Sequence, residues 1–365
     1  MLVHLIIGTR PNIIKAAPVY KELSKLDGID LELIHTGQHY DSKMKDIFFD
    51  DLKLPNPSCF LDGKGSTHSE QTGKIMMKYE QYCFHHRPDL IVVFGDVDST
   101  LACSLVGSKM NIPIAHVESG LRSFDRMMPE EINRVLTDQL SKFLFTTSPE
   151  AEENLLKEGR SKKQIYYVGN TMIDSLIDLN HHFDTSNVRN DLGIKESYSL
   201  MTFHRPSNVD SPQNLNSIIN SIIDLSKIIT CVFPIHPRTK IMLDKLSLTE
   251  KMGNEVNIII TGPLRYIDFM SLGKKASLVI TDSGGIQEET TFLGVPCLTV
   301  RDTTERPITI TKGSNKLIGN SYSNIVNEAK IAMKLDRNKV VIPPLWDGKA
   351  SNRISEIIKN CYNIN

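Results

Sequence analysis

Apolar residues recur along this chain as short continuous runs, each followed by a longer stretch with apolar positions every three or four residues. Continuous runs suit parallel strands covered on both faces, and the longer spacing suits amphipathic helices lying on a sheet. The first half predicts strands at residues 3–7, 30–35, 90–94, 112–116, 143–147 and 165–168, with helices such as 13–26 and 100–109 between them. The rhythm restarts with strands at 199–203, 230–235, 256–261, 278–281 and 297–300. Alternation of this kind is built from βαβ units. It predicts an α/β protein with two doubly wound, Rossmann-like domains facing each other across a cleft. The seam is expected at Gly169-Asn170, before a helix starting near Met172, which gives domains 1–169 and 170–349. A last helix within residues 350–365, strongest over 353–360, is expected to pack back on the first domain.

Composition narrows the class of protein. A chain of 365 residues can hold two domains of ordinary size. With 40% hydrophobic and 23% charged residues it is globular rather than disordered. A net charge of −1 provides no basis for a nucleic-acid or membrane-surface partner. No apolar run approaches the roughly 20 residues needed to span a bilayer. The segment from Met1 to Gly8 lacks a basic leader and a cleavage site, and reads as a first strand. Six cysteines, Cys59, Cys83, Cys103, Cys231, Cys297 and Cys361, show no CxxC or zinc-like spacing. They predict a reduced, cytoplasmic protein without a metal site.

The candidate chemistry gathers where strands end. Asp282-Ser283-Gly284-Gly285 follows the strand at 278–281 and opens a helix running to Phe292. Glycines there let the backbone approach a ligand closely. The helix start presents unpaired N–H groups and a positive dipole end, a setting for a phosphate or diphosphate. Glu289 lies further along that helix, where a carboxylate can accept bonds from a ribose. Arg301 to Pro307 follows the next strand and should reach the same sheet edge. In the first half, Gly8-Thr9-Arg10-Pro11 ends a strand and opens a helix that carries Lys15. Thr9 can cap that helix and Pro11 suits its first turn. Asp96 follows the strand at 90–94, Glu118 follows the strand at 112–116, and Glu130 opens a helix. Each could instead be a helix cap or a first-turn acid. Together they form a set of carboxylates at neighbouring strand ends, and clustered like charges can supply both an acid and a base near neutral pH. His204 ends the first strand of the second half.

Taken in order, these motifs resemble the UDP-N-acetylglucosamine 2-epimerase family, non-hydrolysing type. The resemblance rests on Gly8 to Pro11 with Lys15, Gly95-Asp96, His116-Val117-Glu118 with Gly120-Leu121-Arg122, and Pro129-Glu130-Glu131 with Asn133-Arg134. It continues through His204-Arg205, Thr281 to Glu289 and Arg301 to Pro307, covering nearly the whole chain. It implies a GT-B type fold and reversible inversion at C2 of a UDP-amino sugar, without NAD, metal or other cofactor. It also implies a route by elimination and re-addition of UDP through a 2-acetamidoglucal, and a homodimer. By the same resemblance Asp96, Glu118 and Glu130 are the acid–base groups. His204, Arg10, Lys15 and the Ser283–Gly285 backbone would hold the diphosphate. Glu289 would take the ribose, Arg306 the phosphate side, and Phe269 the uracil.

The chain departs from the family pattern at Gln38-His39-Tyr40-Asp41, with Met44 displaced, and at Pro206-Ser207. In the family those positions build an allosteric substrate site, so the resemblance does not extend to that site. Pro11 to Lys15 fits the non-hydrolysing pattern better than the hydrolysing one, which releases free N-acetylmannosamine. A sister epimerase acting on a modified sugar, a GT-B glycosyltransferase and a catalytically silent nucleotide-sugar sensor remain as alternatives.

Overall fold

Strands buried on both faces set the architecture. In the computed structural model, which describes residues 1–38, 49–319 and 322–364, the first sheet comprises β1 Leu2–Ile7, β2 Asp30–His35, β3 Cys59–Phe60, β4 Leu90–Phe94, β5 Ile114–Ser119, β6 Phe143–Thr146 and β7 Ile165–Tyr167. Every neighbouring pair is parallel, in the order β3-β2-β1-β4-β5-β6-β7. All five residues of β4 are buried, as a central parallel strand under helices on both faces requires. The helices Arg10–Leu23, His68–His85, Asp98–Lys109, Pro129–Leu140 and Pro149–Lys157 connect these strands.

The second sheet holds β8 Tyr198–Thr202, β9 Thr230–Pro234, β10 Ile258–Thr261, β11 Leu278–Thr281, β12 Cys297–Thr299 and β13 Asn315–Leu317. It too is all parallel, in the order β10-β9-β8-β11-β12-β13. Its core packs Met201, Phe233, Ile280 and Leu298 from the strands, and Phe203 just past β8, against Ile218 and Ile222 of the helix Pro212–Ser226.

Two compact units result, one of residues 1–178 with 344–365 and one of residues 179–343. The division falls inside the helix Thr171–Thr185 and not at Gly169-Asn170, because hydrogen bonding keeps a helix continuous whichever core its side chains join. Ser175 Oγ in its first part donates to the Ile14 carbonyl, while Phe183 near its end meets the Tyr266 ring edge-on at 6.1 Å. The last helix, Ala350–Tyr362, belongs to the first unit. Asp174 accepts from Ala350 N, Ser351 N and Ser351 Oγ, and Trp346 Nε1 donates to the Thr147 carbonyl.

Strand positions read from the hydrophobic pattern agree with the structure to within one or two residues except at β5. That strand runs over Ile114–Ser119 and not 112–116. Pro113 lacks the N–H that a ladder needs, and Asn111 turns the chain with φ 56°. At the other end pairing with β6 carries β5 past Glu118. β3 and β13 went unpredicted because two or three residues hold too little periodicity to read. His39, Tyr40, Asp41 and Met44 lie outside the described residues. Among those described, no helix is long and apolar enough to cross a membrane.

Candidate active site

In the first sheet the strand order reverses beside β1, whose neighbours are β2 and β4. At such a reversal, crossovers leave on opposite faces and a crevice opens at the carboxyl ends of the strands. β1 leads through Gly8-Thr9 into the helix Arg10–Leu23. Thr9 holds the N-cap position and donates both its N–H and its hydroxyl to Asn12 Oδ1. Asn12 Nδ2 in turn donates to the Phe94 carbonyl at 2.8 Å, which ties this turn to the end of β4. Arg10 stands exposed at the first helical position, and Lys15 is buried on the inner face.

Lys15 Nζ lies 2.6 Å from Glu118 Oε2, both side chains almost fully buried. Glu118 is held within β5, where the register to β6 shifts between Val117 and Ser119. Its φ is +72°, a left-handed conformation that costs a branched-free side chain about 1–3 kcal/mol and recurs at functional sites. A bulge of this kind re-aims one side chain of a strand. Here it turns Glu118 towards Lys15. Gly95, with φ +61°, lies against this pair, since a Cβ there would meet Lys15 Nζ at 3.2 Å and Glu118 Oε1 at 3.8 Å. Behind them His116 Nε2 lies 2.8 Å from the Gly95 carbonyl and Nδ1 lies 2.7 Å from Asp138. Burial alone would push the Asp138 carboxyl up, but His116 and Arg122 outweigh it and hold the group below its ordinary value.

Asp96 does not cap the following helix, whose N-cap is Val97. Its carboxylate pairs with the buried Arg134, and its carbonyl accepts from Asn133 Nδ2 at 2.9 Å. Asn133 and Arg134 lie on the helix Pro129–Leu140, which carries Glu130, half-buried, in its first turn. The adjacent Glu131 is a fastening group: it accepts from Ser123 N, Ser123 Oγ and Phe124 N, and pairs with Arg134 at 2.5 Å.

The second sheet reverses beside β8, whose neighbours are β9 and β11. His204, just past β8, sets Nδ1 2.9 Å from Asp282 Oδ1, just past β11. Asp282 is fully buried and also accepts from the N–H groups of His204 and Arg205 and from Asn208 Nδ2. Burial pushes its carboxyl up, yet His204 and these donors together lower it below the ordinary carboxylate value. The imidazole is thereby fixed through Nδ1, and the His204 side chain stays partly exposed.

Ser283 is the N-cap of the helix Gly284–Phe292. A Cβ on Gly284 would lie 2.5 Å from Arg306 Nη1 and 2.7 Å from Glu305 Oε1, so the space at this glycine is filled by the protein's own side chains and is not open to a ligand. Gly285 is partly exposed in the first turn. Arg306 is buried and pairs with Glu288 at 3.0 Å and with Glu305, which also holds Arg301 at 2.7 Å. Glu289 Oε1 accepts from the Tyr266 hydroxyl at 2.8 Å. Tyr266 opens the helix Tyr266–Lys275, on which Phe269 packs half-buried against the core.

Lys15 and Glu118 meet directly, and Asp96 is joined to the Glu130 helix through Arg134 and Asn133. Arg10, Lys15, Asp96, Glu118 and Glu130 belong to the first unit. His204, Phe269, Ser283, Gly284, Gly285, Glu289 and Arg306 belong to the second. Sequence reasoning assigned no role to Asn12, Asn133, Arg134, Asp282 or Tyr266. Asn133, Arg134 and Asp282 stood inside the motifs and Asn12 and Tyr266 near them, but a residue that acts by holding another has no signature in composition or spacing that would give its role. Among the described residues no cluster of His, Cys, Asp or Glu could hold a metal ion.

A sequence model of the family described as UDP-N-acetylglucosamine 2-epimerase matches residues 21–359. The chain is 43% identical to the UDP-N-acetylglucosamine 2-epimerase of Methanocaldococcus jannaschii, over 98% of this chain and 99% of that protein. It is 37% identical to the UDP-2,3-diacetamido-2,3-dideoxy-D-glucuronate 2-epimerase of Pseudomonas aeruginosa, over 98% of this chain and 99% of that protein. The crystal structure of the M. jannaschii enzyme in complex with UDP-GlcNAc and UDP superposes with a TM-score of 0.92 at 43% identity, covering 99% of this chain and 100% of that one.

Proposed function

The chain belongs to the UDP-N-acetylglucosamine 2-epimerase family and has its GT-B fold, and from that premise we propose that it interconverts UDP-N-acetylglucosamine and UDP-N-acetylmannosamine. The observation that carries the reading is the buried Lys15–Glu118 pair beside Gly95, with Asp96 and Glu130 on adjoining elements. Inversion at C2 requires a proton to leave one face of the sugar and return to the other, and positioned carboxylates can do both. As the C2–H bond breaks, its electron pair forms the C1–C2 double bond and UDP departs from C1 with the other pair. The 2-acetamidoglucal then takes a proton at C2 on the opposite face while UDP re-forms the bond to C1. No redox step arises, so the balance closes without a nicotinamide.

Asp96, Glu118 and Glu130 exchange the proton. Charge builds on the diphosphate as C1–O breaks, and cations and N–H groups near it lower that barrier. His204, oriented by Asp282, takes this part with Arg10, Lys15 and the Ser283–Gly285 backbone. Arg306 acts on the phosphate side from behind the Gly284 turn, Glu289 takes the ribose and Phe269 the uracil. The product serves as a precursor of surface polysaccharide, and the enzyme works in the cytoplasm as a homodimer. The likeness to the P. aeruginosa enzyme supports a second reading, in which the sugar carries further substituents while the nucleotide half is unchanged.

Incubation with UDP-N-acetylglucosamine in D2O, followed by proton NMR, tests the reading. UDP-N-acetylmannosamine carrying deuterium at C2 is expected. Free N-acetylmannosamine with UDP would assign the hydrolysing reaction instead. Absence of exchange at C2, with exchange in a 2,3-diacetamido substrate, would move the chain to the sister activity.

A further inference from the structure

Asp98 is buried at the start of the helix Asp98–Lys109, and no role above accounts for it. Capping would be the ordinary task of an acid there, but Val97 holds the N-cap position and the Asp98 oxygens meet side chains. Oδ2 accepts from Gln71 Nε2 at 2.7 Å and lies 2.9 Å from His68 Nδ1. Oδ1 accepts from Asn133 Nδ2 at 3.2 Å. The same Asn133 nitrogen donates to the Asp96 carbonyl at 2.9 Å. An amide has two N–H donors, so this one group can serve both acceptors. Asn133 also lies three positions after Glu130, on the same helix face, and precedes the Arg134 that pairs with the Asp96 carboxylate. Removing a carboxylate from water costs free energy that only good partners offset. The partners assembled around Asp98 come from the helices His68–His85 and Pro129–Leu140, and they converge on the turn that presents Asp96.

We infer that Asp98 is a positioning residue: through Asn133 it fixes the main chain of Asp96 against the helix that carries Glu130. The inference rests on the reading of Asp96 and Glu130 as acid–base groups. Displacing a reacting group by about 1 Å can cost on the order of 100-fold in rate. Without Asp98 the Asn133 amide is free to rotate away from Asp96, so the loss should appear in turnover and not in nucleotide binding.

The test measures kcat and KM for UDP-N-acetylglucosamine, and UDP affinity by calorimetry, in Asp98→Ala, Asn133→Ala, the double variant, Asp98→Asn and Asp96→Asn. Each single alanine variant should lower kcat roughly 10- to 100-fold with KM and UDP affinity within about twofold. The double variant should be no slower than the slower single, because both remove the same strut. Asp98→Asn should recover most of the rate, since its amide oxygen still accepts from Asn133. Wild-type kcat in Asp98→Ala, or losses that multiply in the double variant, would overturn the inference. If Asp98→Ala does not fold, Asn133→Ala must show the kcat loss and Asp98→Asn must not. Loss of turnover in Asp96→Asn alone would sink the positioning role and leave the acid–base reading intact. Full turnover in Asp96→Asn would sink both.

Discussion

Glu118 combines a left-handed backbone, near-complete burial and an ion pair with Lys15. Each is costly by itself, and the proton transfer proposed for Glu118 would be a reason for keeping them together. In the proposed mechanism the carboxylates divide into acid–base groups and fastening groups. Glu131 and Asp138 are almost fully buried, with their oxygens taken by N–H groups and cations, whereas the Asp96 side chain, paired with Arg134, is partly exposed. Asp96→Asn and Glu118→Gln should therefore cut turnover by about 100-fold or more while UDP affinity is retained. Near wild-type turnover in either variant would remove that residue from the proton path. A different residue contributes to stability in a way that depends on pH below neutral. His4 on β1 is buried opposite Glu32, with Nε2 3.0 Å from Glu32 Oε2 and Nδ1 3.0 Å from the Tyr79 hydroxyl. Burial outweighs the pull of Glu32 and lowers its pKa from 6.5 to about 4. The unfolded chain thus binds this proton more readily than the folded one. Stability is full above pH 6.5 and falls as pH drops through the window down to about 4. At about 1.4 kcal/mol per pKa unit the total is roughly 3 kcal/mol. Asp138 and Asp282 are depressed carboxyls, so their contribution holds above about pH 4 and is lost only at lower pH. Thermal melts between pH 7 and 4 should show the His4 slope, and His4→Gln should flatten it. An equal slope in that variant would assign the effect elsewhere.

Among elements, the turn before the helix Gly284–Phe292 shows how a motif can be read for the wrong detail. A glycine pair at a strand–helix corner suggests room for a phosphate. Gly284 is required because Arg306 and Glu305 stand where its Cβ would go. Those two groups are tied to Glu288 and Arg301, so they cannot yield as loose side chains would. Gly284→Ala is expected to shift the helix start, cost about 1–3 kcal/mol and weaken UDP binding tenfold or more. Calorimetry with UDP checks this, and unchanged affinity would show that the corner absorbs a methyl group. β5 has the complementary lesson. Its apolar run marks a strand, but Glu118, the acid–base residue proposed for it, sits at a bulge set by pairing with β6.

For the whole chain, the return of residues 344–365 to the first unit is the notable arrangement. Trp346, Ile354 and Ile358 are almost fully buried, and Asp174 satisfies the N–H groups that open the last helix. Ending the chain after Pro343 would expose this apolar surface and leave Asp174 buried among groups that no longer bond it. The first unit should unfold at clearly lower denaturant, measured by circular dichroism against the full chain. An unchanged midpoint would mean that the tail is an accessory. In both sheets some of the candidate residues follow the strands at the reversal of order: Arg10 and Asp96 after β1 and β4, His204 and Ser283 after β8 and β11.

The hydrophobic pattern by itself determined the class of fold and the positions of most strands. It could do so because a strand covered on both faces needs apolar residues at every position, a requirement met locally. The motifs Gly95-Asp96 and Asp282 to Glu289 were legible because each lies at a single strand–turn–helix corner, and His116-Val117-Glu118 because it lies within one strand. Tertiary structure alone decided the strand order, the bulge at Glu118 and the partners Lys15–Glu118, Arg134–Asp96, His204–Asp282 and Arg306–Glu288. Those contacts join residues far apart in the chain, and their energies come from burial and charge pairing that exist only once the sheets have closed around them.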